Sequence, residues 1–484
     1  MNRRLILILG AGVAGILFIV LIGFVAGCFR TKEPQQTQTF DQIELTYYKL
    51  FDDSDVIEPL IQQYQANHAN VKIRYRKFVD PKEYYDLILN ELAEGRGPDI
   101  FSVPNTWFLK NYRKVSPAPA NIIPPDAFEA TYVAVTYDDL VRVNPDTGRN
   151  VVYGMPMAVD TLALYYNKDQ FEDNIPERGR PSITWDGIKE DVFTLTKRDQ
   201  SFERFEVAGI AMGHADNILR AVDIMYLLIL QHGGNFYDQS MSEVIFANQQ
   251  GVASDGRQIR PGVQALELYT SFADPSNKNY SWNQYLANAD SDEKEITTFA
   301  RGKVSMIIGY SNTYEQIVDE INGLKARGLN TINPESIRIA QIPQVIDPAI
   351  STEKRDAYAS YFAETVARTS DNPEWAWDFL LFLTSRDSLT HYNEKTNKPT
   401  SRRDMIEQQK DDPIYGVFAE QIGFAESIPI YDQEKYAESI IKSINEVLAT
   451  RTVESAIKTA QEEINSILPV EGLNPQITVP EEDE

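Results

Sequence analysis

The chain has 484 residues, of which 43% are hydrophobic and 24% charged, and 71 acidic against 46 basic residues give a net charge of −25. Because this length exceeds what one hydrophobic core usually serves, we expect two lobes or domains. The negative charge repels phosphate backbones and so disfavours nucleic acid as a partner. One cysteine excludes an intramolecular disulfide, and four histidines without zinc-site spacing disfavour a catalytic zinc centre.

The N-terminus has the order of an export signal. Two arginines precede an uncharged, mostly apolar run from Leu5 to Gly27. That run is long enough to cross a bilayer, so it is compatible with a cleaved signal peptide and with an uncleaved anchor. Residues 25–28, V-A-G-C, resemble the bacterial lipobox, which favours processing and lipidation at Cys28. The polar residues that follow, up to position 40, predict a flexible tether.

Strands and helices alternate after the tether. Ile43–Tyr48 and Val71–Phe78 have the alternation and residue types of strands, and a further strand is predicted at Asp99–Phe101. Helices are predicted between them, from Asp55 by its capping-box spacing and from Pro81 by its apolar periodicity. This order predicts a parallel-rich α/β sheet, in which ligands sit beyond the carboxyl ends of the strands.

An acidic cluster, Asp52, Asp53 and Asp55, follows the first strand and has two interpretations. It could ligate a metal, although its spacing lacks the twelve-residue pattern of a calcium loop. A helix cap beside a solvated face is the favoured alternative. We therefore expect neither a metal site nor a cofactor.

The segment from Val151 to Gln170, V-V-Y-G-M-P-M-A-V-D-T-L-A-L-Y-Y-N-K-D-Q, reads as strand, bend, strand. It resembles the interlobe crossover of the bacterial extracellular solute-binding proteins of family 1, the maltose-binding-protein-like group, with its G-x-P and LxYNKD pattern. Residues 97–101, G-P-D-I-F, are similar to the family's G-x-PDI/V pattern. Residues 299–310, F-A-R-G-K-V-S-M-I-I-G-Y, are similar to its F-x-x-G-K motif.

The resemblance covers about residues 41–468 and implies an α/β, two-lobed periplasmic-binding-protein fold with interlobe crossover strands of type II, preceded by an N-terminal signal or anchor helix. The implied division is a lipoprotein signal peptide or membrane anchor at 1–27, a tether at 28–40, a first lobe at 41–157 and 303–356, a second lobe at 158–302 and 357–468, and an acidic tail at 469–484.

Ligand contacts are expected in the loops that follow strands and at the crossovers, from position and from the resemblance. The predicted set is Tyr48, Lys49, Asp52, Asn105, Trp107, Asp160, His214, Asn217, Tyr310, Ser311, Asn312 and Tyr361. Core packing remains an alternative for Trp107, a solvated or capping role for His214, and maintenance of the interlobe geometry for Asp160. Trp185, at the start of a helix capped by Thr184, is predicted to be structural.

The resemblance implies a receptor, not an enzyme, that closes over a small solute and delivers it to an ABC transporter permease. Its folded body is expected at the extracytoplasmic face of the membrane, held by a lipid or an N-terminal helix, as a monomer. Aromatic faces with Asn and Asp side chains suit sugars and oligosaccharides, and the composition is also compatible with polyols or short peptides. A sensor or adhesin on the same fold is an alternative. A secreted glycoside hydrolase is disfavoured, since the sequence contains no G-x-S-x-G motif or metal-binding helix and abundant carboxylates alone are no evidence.

Overall fold

The computed structural model describes residues 42–199, 204–253, 256, 258–287, 294–346, 355–469 and 473. The chain divides into two units, Met1–Ile43 and Glu44–Glu484, and the architecture below is that of the second. The predicted signal or anchor segment, Cys28, the tether and nearly all of the acidic tail lie outside the described residues. Among the helices that are described, none is both long and apolar enough to cross a bilayer.

The described strands are short to medium in length. They are β1 Ile43–Leu50, β2 Val71–Phe78, β3 Ile100–Pro104, β4 Val141–Val143, β5 Asn150–Val152, β6 Met155–Pro156, β7 Asp160–Thr161, β8 Ala163–Asn167, β9 Lys197–Arg198, β10 Phe205–Ile210, β11 Gly251–Val252, β12 Gln258–Ile259, β13 Val304–Gly309, β14 Ile337–Ala340, β15 Ala357–Ser360, β16 Phe362–Val366 and β17 Ala425–Glu426.

The described α-helices lie between and after these strands. They are α1 Ser54–Asn67, α2 Pro81–Ala93, α3 Asn105–Asn111, α4 Pro125–Thr131, α5 Ala134–Leu140, α6 Lys168–Asn174, α7 Trp185–Leu195, α8 Ala221–Gln231, α9 Pro261–Ser271, α10 Lys294–Ala300, α11 Thr313–Ala326, α12 Pro373–Leu383, α13 Arg386–Thr396, α14 Ile406–Gln409, α15 Gly416–Gln421, α16 Gln433–Leu448 and α17 Val453–Asn465.

The first lobe is built on a sheet with the strand order β2-β1-β3-β16-β6. β1 and β3 are parallel, as the alternation of strands and helices predicts, whereas β16 runs antiparallel to β3. Helix α1 buries one apolar face, including Ile57, Leu60 and Tyr64, at the predicted helical spacing. Asp53 occupies its N-cap position and Asp55 lies in its first turn, so the predicted cap at Asp55 is wrong by two residues.

The second lobe is built on a sheet with the strand order β14-β8-β13-β10-β9. β13 and β10 are parallel, and β8 runs antiparallel between β13 and β14. Helix α7 begins after Thr184, whose hydroxyl accepts a hydrogen bond from the Gly187 amide. Trp185, the first residue of this helix, is buried, and its indole donates a hydrogen bond to the Gln231 side chain at 2.7 Å. The predicted cap at Thr184 and the structural role of Trp185 are thus confirmed.

A small linking sheet, with the order β17-β15-β7, connects the lobes. Along the chain, β7 lies between β6 of the first-lobe sheet and β8 of the second-lobe sheet. Similarly, β15 lies between β14 of the second-lobe sheet and β16 of the first-lobe sheet. The chain therefore crosses between the lobes at both places. At the first crossing a Cβ on Gly154 would lie 3.1 Å from the Cβ of Ala363, so a side chain at this position would push the two segments slightly apart.

The strand pairing places two segments in the opposite lobe from the predicted division. β13 and β14 lie within 303–356, which was expected in the first lobe, but both pair in the second sheet. β16 lies within 357–468, which was expected in the second lobe, but it pairs with β3, and α12 packs on it. Both lobes accept buried apolar strands, so the residue pattern alone does not distinguish the two sheets.

Candidate ligand cleft

The strand ends of both lobes converge on the linking sheet. In the first lobe β3 ends at Pro104, which pairs with Phe362 at the start of β16. In the second lobe the parallel strands β10 and β13 end at the same edge. Only one residue separates the end of β15 from Phe362. The Asp160 carboxylate of β7 accepts a hydrogen bond from the amide of Ser311, which follows β13. Because ligands of α/β folds bind beyond the carboxyl ends of strands, this junction is the candidate cleft.

One wall of the cleft comes from the second lobe. The Arg220 guanidinium lies 5.1 Å from the ring centroid of Tyr310, in a cation–π contact at the start of α8. Burial raises the pKa of Asp223, although Arg220 and the Tyr310 hydroxyl oppose this shift. Tyr310 directly follows β13, as predicted, but Arg220 and Asp223 are not among the predicted contacts. The wall thus combines an aromatic face with a forked donor and a carboxylate.

Asp160 joins the linking sheet to the second lobe. Its carboxylate accepts hydrogen bonds from the Ser311 amide at 3.0 Å and the Ser311 hydroxyl at 2.5 Å, and from the Thr161 amide at 2.8 Å. Burial nevertheless raises its pKa to about 6, against these hydrogen bonds. Asp160 and Ser311, both predicted as ligand contacts, therefore bond to each other. These hydrogen bonds agree with the alternative role predicted for Asp160, which is to maintain the interlobe geometry.

A pH dependence follows from Asp160. Its folded pKa of about 6 lies above the unfolded value of about 3.9. The folded state therefore holds a proton that the unfolded chain releases between about pH 4 and 6, so this group makes the free energy of unfolding fall as pH rises through that window. Between pH 4 and pH 7 the free energy of unfolding of Asp160→Asn should therefore decrease by about 1–3 kcal/mol less than that of the wild type. Urea unfolding at the two pH values measures this difference. Asp186→Asn, at an exposed position, is the control; identical pH profiles for the two variants would contradict the assignment.

The opposite wall comes from the first lobe and the linking sheet. The Tyr361 hydroxyl donates to Asp139 at 2.7 Å, and the Ser427 hydroxyl donates to the same carboxylate at 2.7 Å. Asn105 donates to Asp139 at 3.4 Å. Burial raises the pKa of Asp139 although these donors oppose the shift. The predicted residues Asn105 and Tyr361 are thus brought together, around a carboxylate that sequence reasoning did not identify.

Tyr358 of β15 shows that the two walls are close. Burial raises its pKa, and the charges of Asp223 from the second lobe and Asp139 from the first add to the effect. Both carboxylates therefore lie within electrostatic reach of one side chain in the linking sheet. The floor of the cleft is accordingly acidic and rich in hydroxyl groups.

Two aromatic side chains stand at the end of the first-lobe sheet. Phe51 and Phe362 pack edge to face with ring centroids 6.0 Å apart. Phe51 remains 45% exposed and holds a φ of 70°, which is unusual for a bulky residue. Neither is a predicted contact, although the position of Phe51 directly after β1 was a usable signal. The pair offers an apolar surface beside the polar walls.

Lys49 and Asp52, both predicted as ligand contacts, lie instead in a buried ionic network of the first lobe. Lys49 forms a salt bridge with Glu364 and lies 3.4 Å from Asp52. Asp52 also accepts hydrogen bonds from Lys398 and Tyr392, each at 2.7 Å. Burial alone would raise the pKa of Asp52, but the two lysines lower it to about 2. Both residues are ionised and occupied by protein partners.

The remaining predicted contacts have mainly structural partners. Tyr48 packs against Phe78 with centroids 5.3 Å apart, and Trp107 stacks on Tyr85 at 6.2 Å, which is the packing alternative for Trp107. Asn217 is buried and accepts a hydrogen bond from the Trp282 indole at 3.0 Å.

His214 and Asn312 are the last two predicted contacts. Burial lowers the pKa of His214, while its backbone carbonyl accepts the Tyr269 hydroxyl at 2.7 Å. Asn312 is exposed at the N-cap position of α11.

A large groove lies elsewhere on the second lobe. It has a volume of 1420 Å³, is lined by residues of α7, α9 and the turn between α16 and α17, and includes none of the cleft side chains named above. Among the described residues, no cluster of three or more His, Cys, Asp or Glu side chains is arranged to hold a metal ion. The chemistry available at the linking sheet is therefore hydrogen bonding, aromatic stacking and charge.

A family model described as bacterial extracellular solute-binding protein matches residues 59–416. That match spans most of the sequence. The chain belongs to this family. Its members are binding proteins by description and are extracellular, which places the folded body outside the cytoplasm.

Similar proteins show the same architecture at low identity. In sequence, a binding protein of Brucella abortus strain 2308 is 22% identical over 358 residues, covering 72% of this solute-binding protein and 75% of the relative. In structure, the sugar-binding protein MalE from Xanthomonas citri superposes with a TM-score of 0.68 at 12% identity, covering 87% of this chain and 96% of MalE. An ABC substrate-binding protein from Listeria monocytogenes in complex with cycloalternan superposes with a TM-score of 0.65 at 16% identity, covering 88% of this chain and 99% of that protein. The two structural likenesses confirm the predicted two-lobed α/β fold.

The lobes of this solute-binding protein also touch away from the linking sheet. Lys110 of α3 in the first lobe forms a 2.6 Å salt bridge with Asp432, and Thr106 donates to Gln433 at 3.0 Å. Helix α16, which begins there, packs on α8 and α17 of the second lobe. The Asn397 amide likewise reaches Glu315 of α11 at 2.9 Å. The described conformation is therefore one in which the lobes are in contact.

Proposed function

We propose that this protein is an extracytoplasmic receptor that captures a sugar or oligosaccharide between its lobes and delivers it to an ABC transporter permease. The observation that carries the proposal is the convergence of Arg220, Asp223 and Tyr310 with Asp139 and Tyr361 at the linking sheet. Carboxylates and a guanidinium match the donors and acceptors of sugar hydroxyls, and aromatic faces suit the apolar faces of sugar rings.

Capture by closure explains the placement of these groups. Each wall belongs to a different lobe, so a ligand that contacts both walls binds the closed state better than the open state. That difference in affinity is what shifts the population towards closure. No covalent step is required, and the protein acts without catalysing a reaction.

Delivery and anchoring rest on the family and on the N-terminus. The Listeria protein is an ABC substrate-binding protein, and its architecture is shared here. The lipobox-like residues 25–28 support retention at the outer face of the membrane through a lipid on Cys28. The receptor then works as a monomer tethered beside its permease. The proposed contacts are Asn105, Asp160, Tyr310, Ser311 and Tyr361 from the predicted set, joined by Arg220, Asp223, Asp139, Phe51 and Phe362.

Thermal unfolding against a panel of ligands tests the proposal. We expect monosaccharides or oligosaccharides to raise the midpoint of the purified protein and polyols and short peptides to have less effect. A ligand at one hundred times its dissociation constant adds about 2.7 kcal/mol to the free energy of unfolding. If a stabilising sugar were converted to a product, the glycoside hydrolase hypothesis would be favoured instead. If no ligand of the panel shifted the midpoint, the sensor or adhesin hypothesis would be favoured.

The contact between Lys110 and Asp432 should strengthen solute binding without touching the solute. Lys110→Met removes an exposed ion pair of 2.6 Å between the lobes, and such pairs contribute up to about 1 kcal/mol. We expect solute affinity to fall about 2–5-fold, mainly through faster release in stopped-flow measurements. Lys442→Met, which removes an exposed pair between α16 and α17, is the control. An unchanged release rate, or a difference that salt does not reduce, would contradict this role.

A further inference from the structure

The segment that leads to Arg220 is anchored before it reaches that residue. It covers residues 211–220, between β10 and α8, and Arg220 occupies the N-cap position of α8. The buried Asn217 accepts a hydrogen bond from the Trp282 indole at 3.0 Å and donates to the Asn283 carbonyl at 3.0 Å. The 211–220 segment is therefore held by other parts of the second lobe.

Glu295 holds the residue immediately before Arg220. Its side chain lies in the first turn of α10 and is only 2% exposed. The Leu219 amide donates to its two carboxylate oxygens at 3.1 and 3.0 Å. On the other side, the Arg220 carbonyl accepts a hydrogen bond from the Ile224 amide at 2.8 Å in the first turn of α8. The backbone that carries the guanidinium is thus fixed on both sides.

The carboxyl group of Glu295 titrates near neutral pH. Burial raises its pKa to about 7, although backbone amides and the charges of Arg220 and Lys294 oppose this shift. Tyr269 of α9 is a titratable neighbour from a third element, since burial and the charge of Glu295 raise its pKa. A carboxylate accepts an amide hydrogen bond more strongly than a neutral carboxyl group does. Ionisation of Glu295 should therefore strengthen its hydrogen bond with Leu219.

We propose that Glu295 is a positioning residue that fixes the direction of the Arg220 guanidinium through the Leu219 amide, without touching the solute. Arg220 covers the Tyr310 ring at 5.1 Å, and a displacement of its backbone would change this contact and the direction of its donors. Binding groups must be held to within about 0.5 Å of their productive geometry. This role rests on the proposed function in one respect, since Arg220 is taken there as a ligand contact.

A measurement without any ligand tests the positioning. In the full-length protein with isotope-labelled leucine and arginine, the NMR signals of the Leu219 amide and Arg220 Nε should shift with a midpoint near pH 7. Glu295→Gln keeps the shape and an acceptor oxygen but cannot ionise, so both signals should lose this transition. Glu320→Gln is the control, because Glu320 is equally buried in the second lobe but pairs with Arg327 of α11's carboxyl end, and it should keep the transition.

Binding measurements show whether the positioning matters for capture. Isothermal titration uses the sugar of the panel with the largest thermal shift, at pH 6 and pH 8. Between these values the affinity of the wild type should rise about 3- to 10-fold more than that of Glu295→Gln, because hydrogen bonds to charged groups are the stronger ones. Other carboxylates that titrate in this range, such as Asp160, are present in both proteins and cancel in the comparison.

The two measurements can each overturn the proposal. The absence of a transition near pH 7 in the wild type, or the same transition in Glu295→Gln, would do so. So would identical pH dependence of sugar affinity in the two proteins. If no sugar binds while the Leu219 and Arg220 signals behave as expected, the positioning stands and the sugar-receptor function fails. Thermal unfolding at pH 6, where the wild-type carboxyl group is largely protonated, checks that Glu295→Gln folds with a similar midpoint.

Discussion

Replacing Lys49 with methionine should destabilise the protein by about 3–5 kcal/mol, because it leaves a buried charge without its partner. Lys49 is 2% exposed and lies between Glu364 and Asp52. The Tyr47 hydroxyl donates to Glu364 at 2.7 Å, which is not enough to balance a buried carboxylate. Urea unfolding of Lys49→Met against the wild type measures the loss.

The matched control is Lys189→Met. Lys189 pairs with Asp186 at 3.1 Å on the surface of α7, where an ion pair contributes at most about 1 kcal/mol. Equal losses in the two variants would show that the network around Lys49 is no stronger than a surface pair.

Replacing Arg220 with alanine should weaken sugar binding about 10- to 100-fold. Hydrogen bonds to a charged group contribute about 1.5–3 kcal/mol each, and the guanidinium also covers the Tyr310 ring. Isothermal titration with the sugar that gives the largest thermal shift measures the effect. Arg220→Lys should be intermediate, because it keeps the charge but loses the planar fork.

Two comparisons separate a binding role from a structural one. The unliganded midpoint of Arg220→Ala should stay close to that of the wild type, because the side chain is only partly buried. Arg338→Ala, in the second-lobe sheet away from the strand ends that face the cleft, should leave affinity unchanged. Unaltered binding by Arg220→Ala would remove this residue from the proposed contacts.

Local patterns account for the success of the element predictions. Val71–Phe78 is a strand with the predicted bounds, and the helix from Pro81 begins at the predicted residue. In that helix, as in those that begin at Pro261 and Pro373, proline occupies the first turn, where its missing amide costs nothing. Such signals depend only on residues within four positions along the chain, so they can be recognised without knowledge of tertiary contacts.

Assignment of strands to lobes failed for a different reason. β13 and β16 are both largely buried strands, and each could join either sheet on pattern alone. The register of Ile307 opposite Tyr165, and of Ala363 opposite Val103, is decided by pairing between residues far apart in the chain. Pairing partners at such distances leave no trace in a local pattern.

The sequence by itself determined the α/β class, the family and the position of the crossover, because these depend on periodicity, on punctuation by glycine and proline, and on a contiguous motif. Only the tertiary structure decided which polar residues are available to a ligand. Lys49 lies near the end of β1 and Asp52 just after it, much as Tyr310 follows β13, yet both form a buried network with distant partners, Glu364 and Lys398. Asp139 and Asp223 lie within helices, and folding brings the charges of both within electrostatic reach of Tyr358 in the linking sheet. Charge pairing and burial act through space, and this is why the sequence predicts a region for the site but not which of its side chains have protein partners.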